Sequence, residues 1–293
     1  MPYSEPTNLG IVACPGGQAF ASEVIAHLRH MYKHRFNLKR DVISKRYNVE
    51  KEELVKDINF YNDLQTSDLC VKGNVANYRA PEFLVNAEFT YFMNGEFKTE
   101  IKDCIRGKDI FIFQDVENHQ VISLNGGKNK MALSVNDHLM SLLVTIDAVR
   151  QAGASGITLV LPVYPYSRQH KKKGREGLTA SLLGHIYENM GVKRVITLDI
   201  HSREIENAFG KANIENLHAS YQIIRELSNL FDLSPNGDDL VIVSPDTGAV
   251  DRARLYADLF KTNVGMFYKR RDLTKVVNGK NPIIEHKYIG EDV

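Results

Sequence analysis

The sequence predicts an α/β protein built on mainly parallel sheets that helices cover on both faces. Short runs of strand length recur along the chain, they are apolar along their whole length, and segments with helical apolar spacing separate most of them. Strands that are apolar on both sides are typical of parallel sheets buried between helices. With 293 residues and 43% hydrophobic content, the chain is long enough for two domains of ordinary size.

The predicted elements alternate in the order expected for this class. The strands are rich in valine and isoleucine and lie at 11–14, 109–113, 157–161, 194–198, 240–243 and 264–267. The helices carry apolar residues three and four positions apart and lie at 136–150, 178–190, 220–231 and 248–260. We expect Asn136 to cap the first of these helices, because its side chain can accept a hydrogen bond from a free N–H group of the first turn.

Two stretches interrupt the alternation. Residues 39–65 are strongly charged, which indicates a helical insertion at the surface, outside the core. Residues 207–219 are polar and follow the strand at 194–198, so we expect the chain to cross there from one domain to the next. The predicted domains are residues 1–212 and 213–293.

Composition excludes several classes of protein. Thirty-seven basic and thirty-six acidic residues give a net charge of +1, which argues against nucleic acid or a membrane as the principal partner. Cys14, Cys70 and Cys104 form no C-x-x-C pair, as is typical of a reducing compartment. The N-terminus does not resemble a secretory signal, and no apolar run approaches the roughly 20 residues of a membrane span. We therefore predict a cytoplasmic protein.

A basic loop follows the predicted strand at 157–161. Ligands of open parallel sheets bind at the carboxyl ends of the strands, and this loop has five cations in eight residues: Arg168, Lys171, Lys172, Lys173 and Arg175. Tyr164 and Tyr166 precede it, which suits stacking on a base together with binding of phosphates. A solvated basic loop or a nonspecific nucleic-acid patch is the competing interpretation.

Three other strand ends carry candidate residues. His201 follows the strand at 194–198, where an imidazole can bind a metal ion, carry a proton or be purely structural. Asp246 precedes a helix and either holds magnesium or a hydroxyl, or caps that helix. Lys269 and Arg271 alternate on an extended segment and should point to one side, although they could also be a charged edge.

Common catalytic motifs are absent from the sequence. It contains no G-x-x-x-x-G-K-[ST], no G-x-G-x-x-G after a strand, no G-x-S-x-G and no H-E-x-x-H. Hydrolysis by a simple nucleophile and redox chemistry on a dinucleotide are therefore unsupported.

Six motifs in order resemble those of the ribose-phosphate pyrophosphokinases. They are F-M-N-G-E at 92–96, N-D-H-L-M at 136–140, Y-S-R-Q at 166–169 with R-E at 175–176 and Thr179, L-D-I-H at 198–201, S-P-D-T-G at 244–248, and K-R-R at 269–271. The resemblance implies two phosphoribosyltransferase-like domains. The basic loop departs from the family, because His170 and Lys171 stand where an aspartate and an arginine are usual.

The resemblance also implies roles for individual residues. The strip with Phe92, Asn94 and Glu96 resembles the one that reaches the adenine of ATP bound by a neighbouring subunit, with Asn94 in place of the usual aspartate. Seven other positions take family roles by their place in the motifs. Arg168, Gln169 and Lys171 resemble ATP-binding residues, His201 a magnesium ligand, Asp246 a residue that contacts ribose hydroxyls or metal, and Lys269 and Arg271 the pair that stabilises the transition state.

The implied activity is transfer of the pyrophosphoryl group of Mg-ATP to the anomeric hydroxyl of ribose 5-phosphate, in a homo-oligomer whose subunits share ATP sites. The family's acidic strand and Thr-Gly loop for ribose 5-phosphate are missing from this sequence, so we expect the second domain to be incomplete and the chain alone to be inactive. Three alternatives remain open: a noncatalytic regulatory paralogue, a phosphoribosyltransferase, and a nucleic-acid binder acting through residues 168–175.

Overall fold

The computed structural model describes residues 9–54, 82–172, 174–230, 240–272, 274–275 and 281–290. The chain divides into two compact units, Met1–Leu217 and His218–Val293. The boundary falls five residues after the predicted one, because residues 213–217 form an edge strand of the first unit. That strand alternates exposed and half-buried positions, which is why its sequence resembles a polar connection.

The first unit contains nine strands and four α-helices among its described residues. The strands are β1 (Leu9–Ala13), β2 (Ala87–Tyr91), β3 (Phe97–Ile101), β4 (Asp109–Phe113), β5 (Val121–Leu124), β6 (Asn129–Ala132), β7 (Gly156–Leu161), β8 (Arg194–Leu198) and β9 (Asn213–Leu217). The helices are α1 (Gln18–Tyr47), α2 (Lys51–Leu54), α3 (Val135–Gln151) and α4 (Thr179–Asn189).

The central sheet is fully parallel, in the order β1-β4-β7-β8-β9. Successive side chains of a strand point to opposite faces, so β1 contributes to the apolar clusters on both faces of the sheet. Ile11 packs with Ala21 and Ile25 of α1, whereas Val12 packs with Leu142 of α3. The predicted α/β class is confirmed, and the strands predicted at 109–113 and 194–198 are found with the same bounds.

Two antiparallel hairpins, β2–β3 and β5–β6, were not predicted. Asn125, at the turn of the second hairpin, accepts a hydrogen bond from Tyr91 N (2.8 Å) and donates one to Tyr91 O (2.9 Å). Phe97, Leu124 and Leu133 form a small buried cluster between them. The hairpins are thus held together by one polar and one apolar contact region.

Helix α3 begins earlier than predicted and has a different cap. Ser134 accepts a hydrogen bond from Asp137 N (3.2 Å), and the Asp137 carboxylate accepts one from Ser134 N (2.9 Å), which is a complete capping box. The prediction that Asn136 caps this helix is therefore wrong.

The charged stretch at 39–65 begins inside a helix. Residues 39–47 continue α1 without a break, α2 follows, and residues 55–65 lie outside the described part of the chain. Ile43 and Leu54 are buried, so the described part of this stretch, residues 39–54, contributes apolar side chains to the protein interior.

The second unit combines parallel and antiparallel pairing. Its elements are α5 (Ser220–Leu230), β10 (Ile242–Ser244), α6 (Val250–Phe260), β11 (Val264–Arg271) and β12 (Ile283–Ile289). Strand β10 pairs parallel with β11, as predicted for a sheet of this class, but β12 pairs antiparallel. Strand β11 extends four residues beyond the predicted end, so that it includes Lys269 and the backbone of Arg271.

Candidate functional site

The loop after β7 is fixed to the first unit at both of its ends. Tyr166 has φ +55°, a left-handed conformation that costs energy for a residue with a side chain, and its carbonyl accepts a hydrogen bond from Gln169 N (2.8 Å). The Tyr166 hydroxyl donates to Asn136 Oδ1 at the start of α3. Asn136 therefore orients this loop.

The far end of the loop is joined to helix α4. Thr179 Oγ1 donates to Gln169 Oε1 (2.6 Å), and Ala180 N donates to Gln169 O (3.4 Å). Arg168, Gln169 and Lys171 are exposed. The loop thus combines an ordered base with cationic side chains in solvent, at the carboxyl edge of the sheet.

Tyr164 belongs to the core. It is 2% exposed, its hydroxyl donates to Ala180 O (2.9 Å), and its ring lies edge-on to Tyr187 and Phe209. Burial raises its pKa. The expectation that Tyr164 stacks on a base is therefore wrong, and only the half-buried Tyr166 remains a candidate.

The loop after β8 lies beside the basic loop. The His170 and His201 rings are 5.4 Å apart, and Glu204 is 3.1 Å from the Lys171 ammonium and 3.8 Å from His170 Nε2. Asp199, with φ +45°, redirects the chain after β8, and its N–H donates to Leu217 O (2.8 Å) on β9. The structure therefore brings together His201 and Lys171, which the sequence placed after different strands. Glu204, which pairs with Lys171, was missed because no spacing rule relates it to the basic loop.

The strip at 92–96 is the tip of the β2–β3 hairpin. Gly95 has φ +91° and donates its N–H to Phe92 O (3.0 Å), while Asn94 Oδ1 accepts a hydrogen bond from Glu96 N (3.2 Å). Phe92, Asn94 and Glu96 are all exposed. The Asn94 side chain stabilises this turn, as asparagine commonly does, and the turn presents an exposed aromatic ring.

The remaining candidates belong to the second unit. Asp246 Oδ1 accepts a hydrogen bond from Gly248 N (3.0 Å) and so caps the short 3₁₀ turn Thr247–Ala249. The N-cap of helix α6 is Ala249, so the alternative that Asp246 caps this helix is wrong. Lys269 is half-buried and lies opposite His286 of β12. The ladder is irregular between Arg270 and Arg271, so simple alternation does not extend from Lys269 to the end of the strand, and the Arg271 side chain lies outside the described part of the structure.

His201 lies beside the imidazole of His170. Mg²⁺ prefers near-octahedral oxygen ligands, and the role of His201 as a magnesium ligand stays a prediction. Among the described residues, no group of three or more histidine, cysteine, aspartate or glutamate side chains is arranged to hold a metal ion.

A buried polar network supports the adjoining strand end. Gln114 Nε2 donates to His138 O (2.9 Å) and Ser141 Oγ (3.0 Å), and the His138 ring lies 2.9 Å from Asn118 O. His138 is fully buried, which gives the N-D-H-L-M motif a structural role. Nearby, burial raises the pKa of the Cys14 thiol to about 12, so this cysteine is not a nucleophile at neutral pH.

Residues 73–191 match the family model for the N-terminal domain of ribose phosphate pyrophosphokinase. The first unit belongs to the ribose-phosphate pyrophosphokinase family. A ribose-phosphate pyrophosphokinase of Listeria ivanovii is 38% identical over 199 residues, which are 68% of this chain and 56% of that protein. One from Staphylococcus saprophyticus is 37% identical over 195 residues, which are 66% of this chain and 55% of that protein. The chain therefore spans about half the length of these relatives.

Fold comparison finds a similar architecture in a solved structure. A phosphoribosylpyrophosphate synthetase from Mycobacterium smegmatis superposes with a TM-score of 0.60 over 97% of this chain and 67% of its own, at 21% identity. The match to the family model includes the hairpin tip and the basic loop, whereas His201, Asp246, Lys269 and Arg271 lie beyond residue 191. None of the described helices is both long and apolar enough to cross a membrane.

Proposed function

We propose that this pyrophosphokinase relative transfers the pyrophosphoryl group of Mg-ATP to the anomeric hydroxyl of ribose 5-phosphate, giving phosphoribosyl pyrophosphate and AMP. One observation carries the proposal above all. The basic loop has an ordered base, through Tyr166 and Gln169, while its described cations are exposed at the carboxyl edge of a parallel sheet. This is where α/β proteins bind phosphorylated ligands.

The loop can accept a triphosphate at small energetic cost. The Lys171–Glu204 ion pair is exposed on both sides, 62% and 51%, and exposed pairs contribute only about 0–1 kcal/mol. The Lys171 ammonium can therefore exchange a carboxylate for a phosphate oxygen. Arg168 offers a planar set of donors suited to two phosphate oxygens, and Gln169 offers an amide whose position Thr179 already fixes.

In the proposed reaction, the anomeric oxygen of ribose 5-phosphate attacks the β-phosphorus of ATP. A new O–P bond forms as the bond from the β-phosphorus to the α-phosphate oxygen breaks, and AMP leaves. Little covalent chemistry is required of the protein, so positioning and charge stabilisation dominate. Lys269 and Arg271 are the groups proposed to stabilise the charge of the transition state, and Mg²⁺ enters with ATP as part of the substrate.

Other parts of the proposal concern the assembly. Phe92 at the exposed hairpin tip is proposed to reach the adenine of ATP on a neighbouring subunit of a homo-oligomer, together with Glu96. Asp246 is proposed to contact the ribose hydroxyls or a metal through the carboxylate oxygen that does not accept from Gly248 N. The cytoplasm is the proposed location, in keeping with the three dispersed cysteines.

A noncatalytic regulatory paralogue is the second candidate. It is favoured by Asn94, whose side chain is engaged in the hairpin turn, and by His170 within the basic loop. Both functions predict ATP binding, but only the catalytic one predicts ATP consumption. The two are therefore separated by turnover.

The test measures ATP consumption that depends on ribose 5-phosphate, in a protein that also contains the missing ribose 5-phosphate loop, alongside ATP binding by calorimetry. Arg168→Ala should weaken ATP binding about tenfold, the effect of losing a charged hydrogen bond of about 1.4 kcal/mol. The matched control is Arg35→Ala, which removes an exposed arginine of α1 and should leave ATP binding unchanged. ATP binding without consumption would favour the regulatory function, and binding that ignores Arg168→Ala would remove the basic loop from the site.

A further inference from the structure

The hairpin tip that carries Phe92 has little support within its own hairpin. An isolated two-stranded hairpin is only marginally stable in water, and among the described strands β2 pairs with β3 alone. The Phe92 side chain is 43% exposed. A fixed orientation of its ring therefore depends on contacts at the base of the tip.

Asn125 provides such a contact. Tyr91 is the last residue of β2 and directly precedes Phe92. Alternate residues of an antiparallel strand direct both of their backbone groups away from the partner strand. Asn125 Oδ1 accepts a hydrogen bond from Tyr91 N (2.8 Å), and Asn125 Nδ2 donates one to Tyr91 O (2.9 Å). One amide side chain thus takes the place of a neighbouring strand, one residue before the exposed ring.

The turn of the β5–β6 hairpin holds this amide in place. Asn125, Gly126 and Gly127 have φ values of +54°, +65° and +92°, a left-handed conformation that asparagine and glycine adopt more readily than other residues. Just before the turn, the buried Leu124 packs in one apolar cluster with Phe97 of β3. The β5–β6 hairpin is therefore anchored to the hairpin that it supports.

We propose that Asn125 is a positioning residue for the nucleotide site: by binding both backbone groups of Tyr91, it fixes the tip in the orientation in which Phe92 meets an adenine ring. A side chain that is ordered before binding loses less conformational entropy when the ligand arrives. In this role Asn125 acts through the tip and not on the reacting atoms. The contact with adenine rests on the proposed function, whereas the ordering of the tip does not.

The ordering of the tip can be measured without nucleotide. The chain contains no tryptophan, so Phe92→Trp gives a single fluorescent reporter at the tip. In that background, Asn125→Gly removes the amide while keeping a residue that tolerates the left-handed backbone. The decay of fluorescence anisotropy should then show a larger amplitude of nanosecond motion. The matched control is Lys128→Ala, which removes an exposed side chain next to the same turn and should leave this motion unchanged.

The effect on nucleotide binding is measured by calorimetry of the full chain with two probes, ATP and inorganic tripolyphosphate, both in the presence of Mg²⁺. Phe92→Ala should weaken ATP binding at least about fivefold, because stacking on the base is lost. Asn125→Gly should weaken it roughly fivefold, and should add nothing when Phe92→Ala is already present. Neither variant should change the affinity for tripolyphosphate, which has no base, whereas Arg168→Ala should weaken binding of both probes.

Three results for Asn125→Gly would overturn the proposal. They are unchanged motion of the tip, an equal loss of affinity for ATP and tripolyphosphate, and a loss of affinity that light scattering traces to dissociation of an oligomer. If Asn125→Gly does not fold, as judged by thermal unfolding, Asn125→Asp replaces it with the same expectations, since the carboxylate can accept from Tyr91 N but cannot donate to Tyr91 O.

Failure of this proposal can be told apart from failure of the proposed function. Unchanged ATP affinity in Asn125→Gly, together with weaker binding in Phe92→Ala, would refute the role of Asn125 and leave the adenine contact intact. Unchanged ATP affinity in Phe92→Ala would refute the adenine contact, and the role of Asn125 with it.

Discussion

We predict that losing the hydrogen bond from Thr179 to Gln169 weakens the affinity for ATP. Thr179→Val keeps the shape of the side chain but removes the O–H that lies 2.6 Å from Gln169 Oε1. The amide of Gln169 then loses its fixed orientation within the exposed loop. A net hydrogen bond is worth about 1 kcal/mol, which corresponds to a roughly fivefold weaker ATP affinity.

Calorimetric titration of ATP measures this effect, and thermal unfolding shows whether it is local. The contact is exposed, so the free energy of unfolding should change by no more than about 0.5 kcal/mol. A double-mutant cycle provides the control. Because Thr179 acts through Gln169, Thr179→Val should have no further effect on ATP binding when Gln169→Ala is already present.

Full additivity of the two substitutions would refute this reasoning, since it would mean that Thr179 and Gln169 act independently. Unchanged affinity in Thr179→Val would also refute it, because the orientation of Gln169 would then be irrelevant to the nucleotide.

Three more predictions concern stability and turnover. Ser134→Ala removes the capping box of α3 and should lower the free energy of unfolding by about 1 kcal/mol, as measured by urea denaturation. Glu188 accepts hydrogen bonds from three backbone N–H groups, which lower the pKa of its carboxyl. Its contribution to stability is therefore present above the pKa of an unfolded glutamate and is lost as pH falls through the folded value. Glu188→Gln should reduce this loss of stability in acid, as measured by urea denaturation at several pH values. Lys269→Ala should depress turnover far more than ATP affinity, while Lys287→Ala on the neighbouring strand should change neither in steady-state assays.

Four strands of the central sheet, β1, β4, β7 and β8, were predictable because they are mostly apolar and each places buried side chains in the core. Strand β4 illustrates this, since its predicted and observed bounds coincide. Edge strand β9 was not predictable, because only alternate positions are half-buried and the rest are polar. The hairpins were missed for a related reason: Asn125 and Phe97 hold them through contacts between distant segments, which no local pattern reports.

The sequence predicted which candidate residues follow each strand, but not the contacts that they make with one another. The sequence placed Lys171 and His201 after two strands, and the parallel order of those strands brings their loops together. It could not predict that Glu204 pairs with Lys171, because that contact depends on how the chain turns at Asp199. It also could not separate Tyr164 from Tyr166, because the burial of Tyr164 is decided by helix α4.

The nucleotide product formed from ATP and ribose 5-phosphate tests the proposed function most directly. Phosphorus NMR follows the reaction and distinguishes attack at the β-phosphorus from attack at the γ-phosphorus. For a protein that also contains the missing ribose 5-phosphate loop, the account predicts AMP in a one-to-one ratio with a pyrophosphorylated sugar, and no AMP when ribose 5-phosphate is omitted. Formation of ADP with a singly phosphorylated product, or AMP release that ignores the sugar, would contradict it.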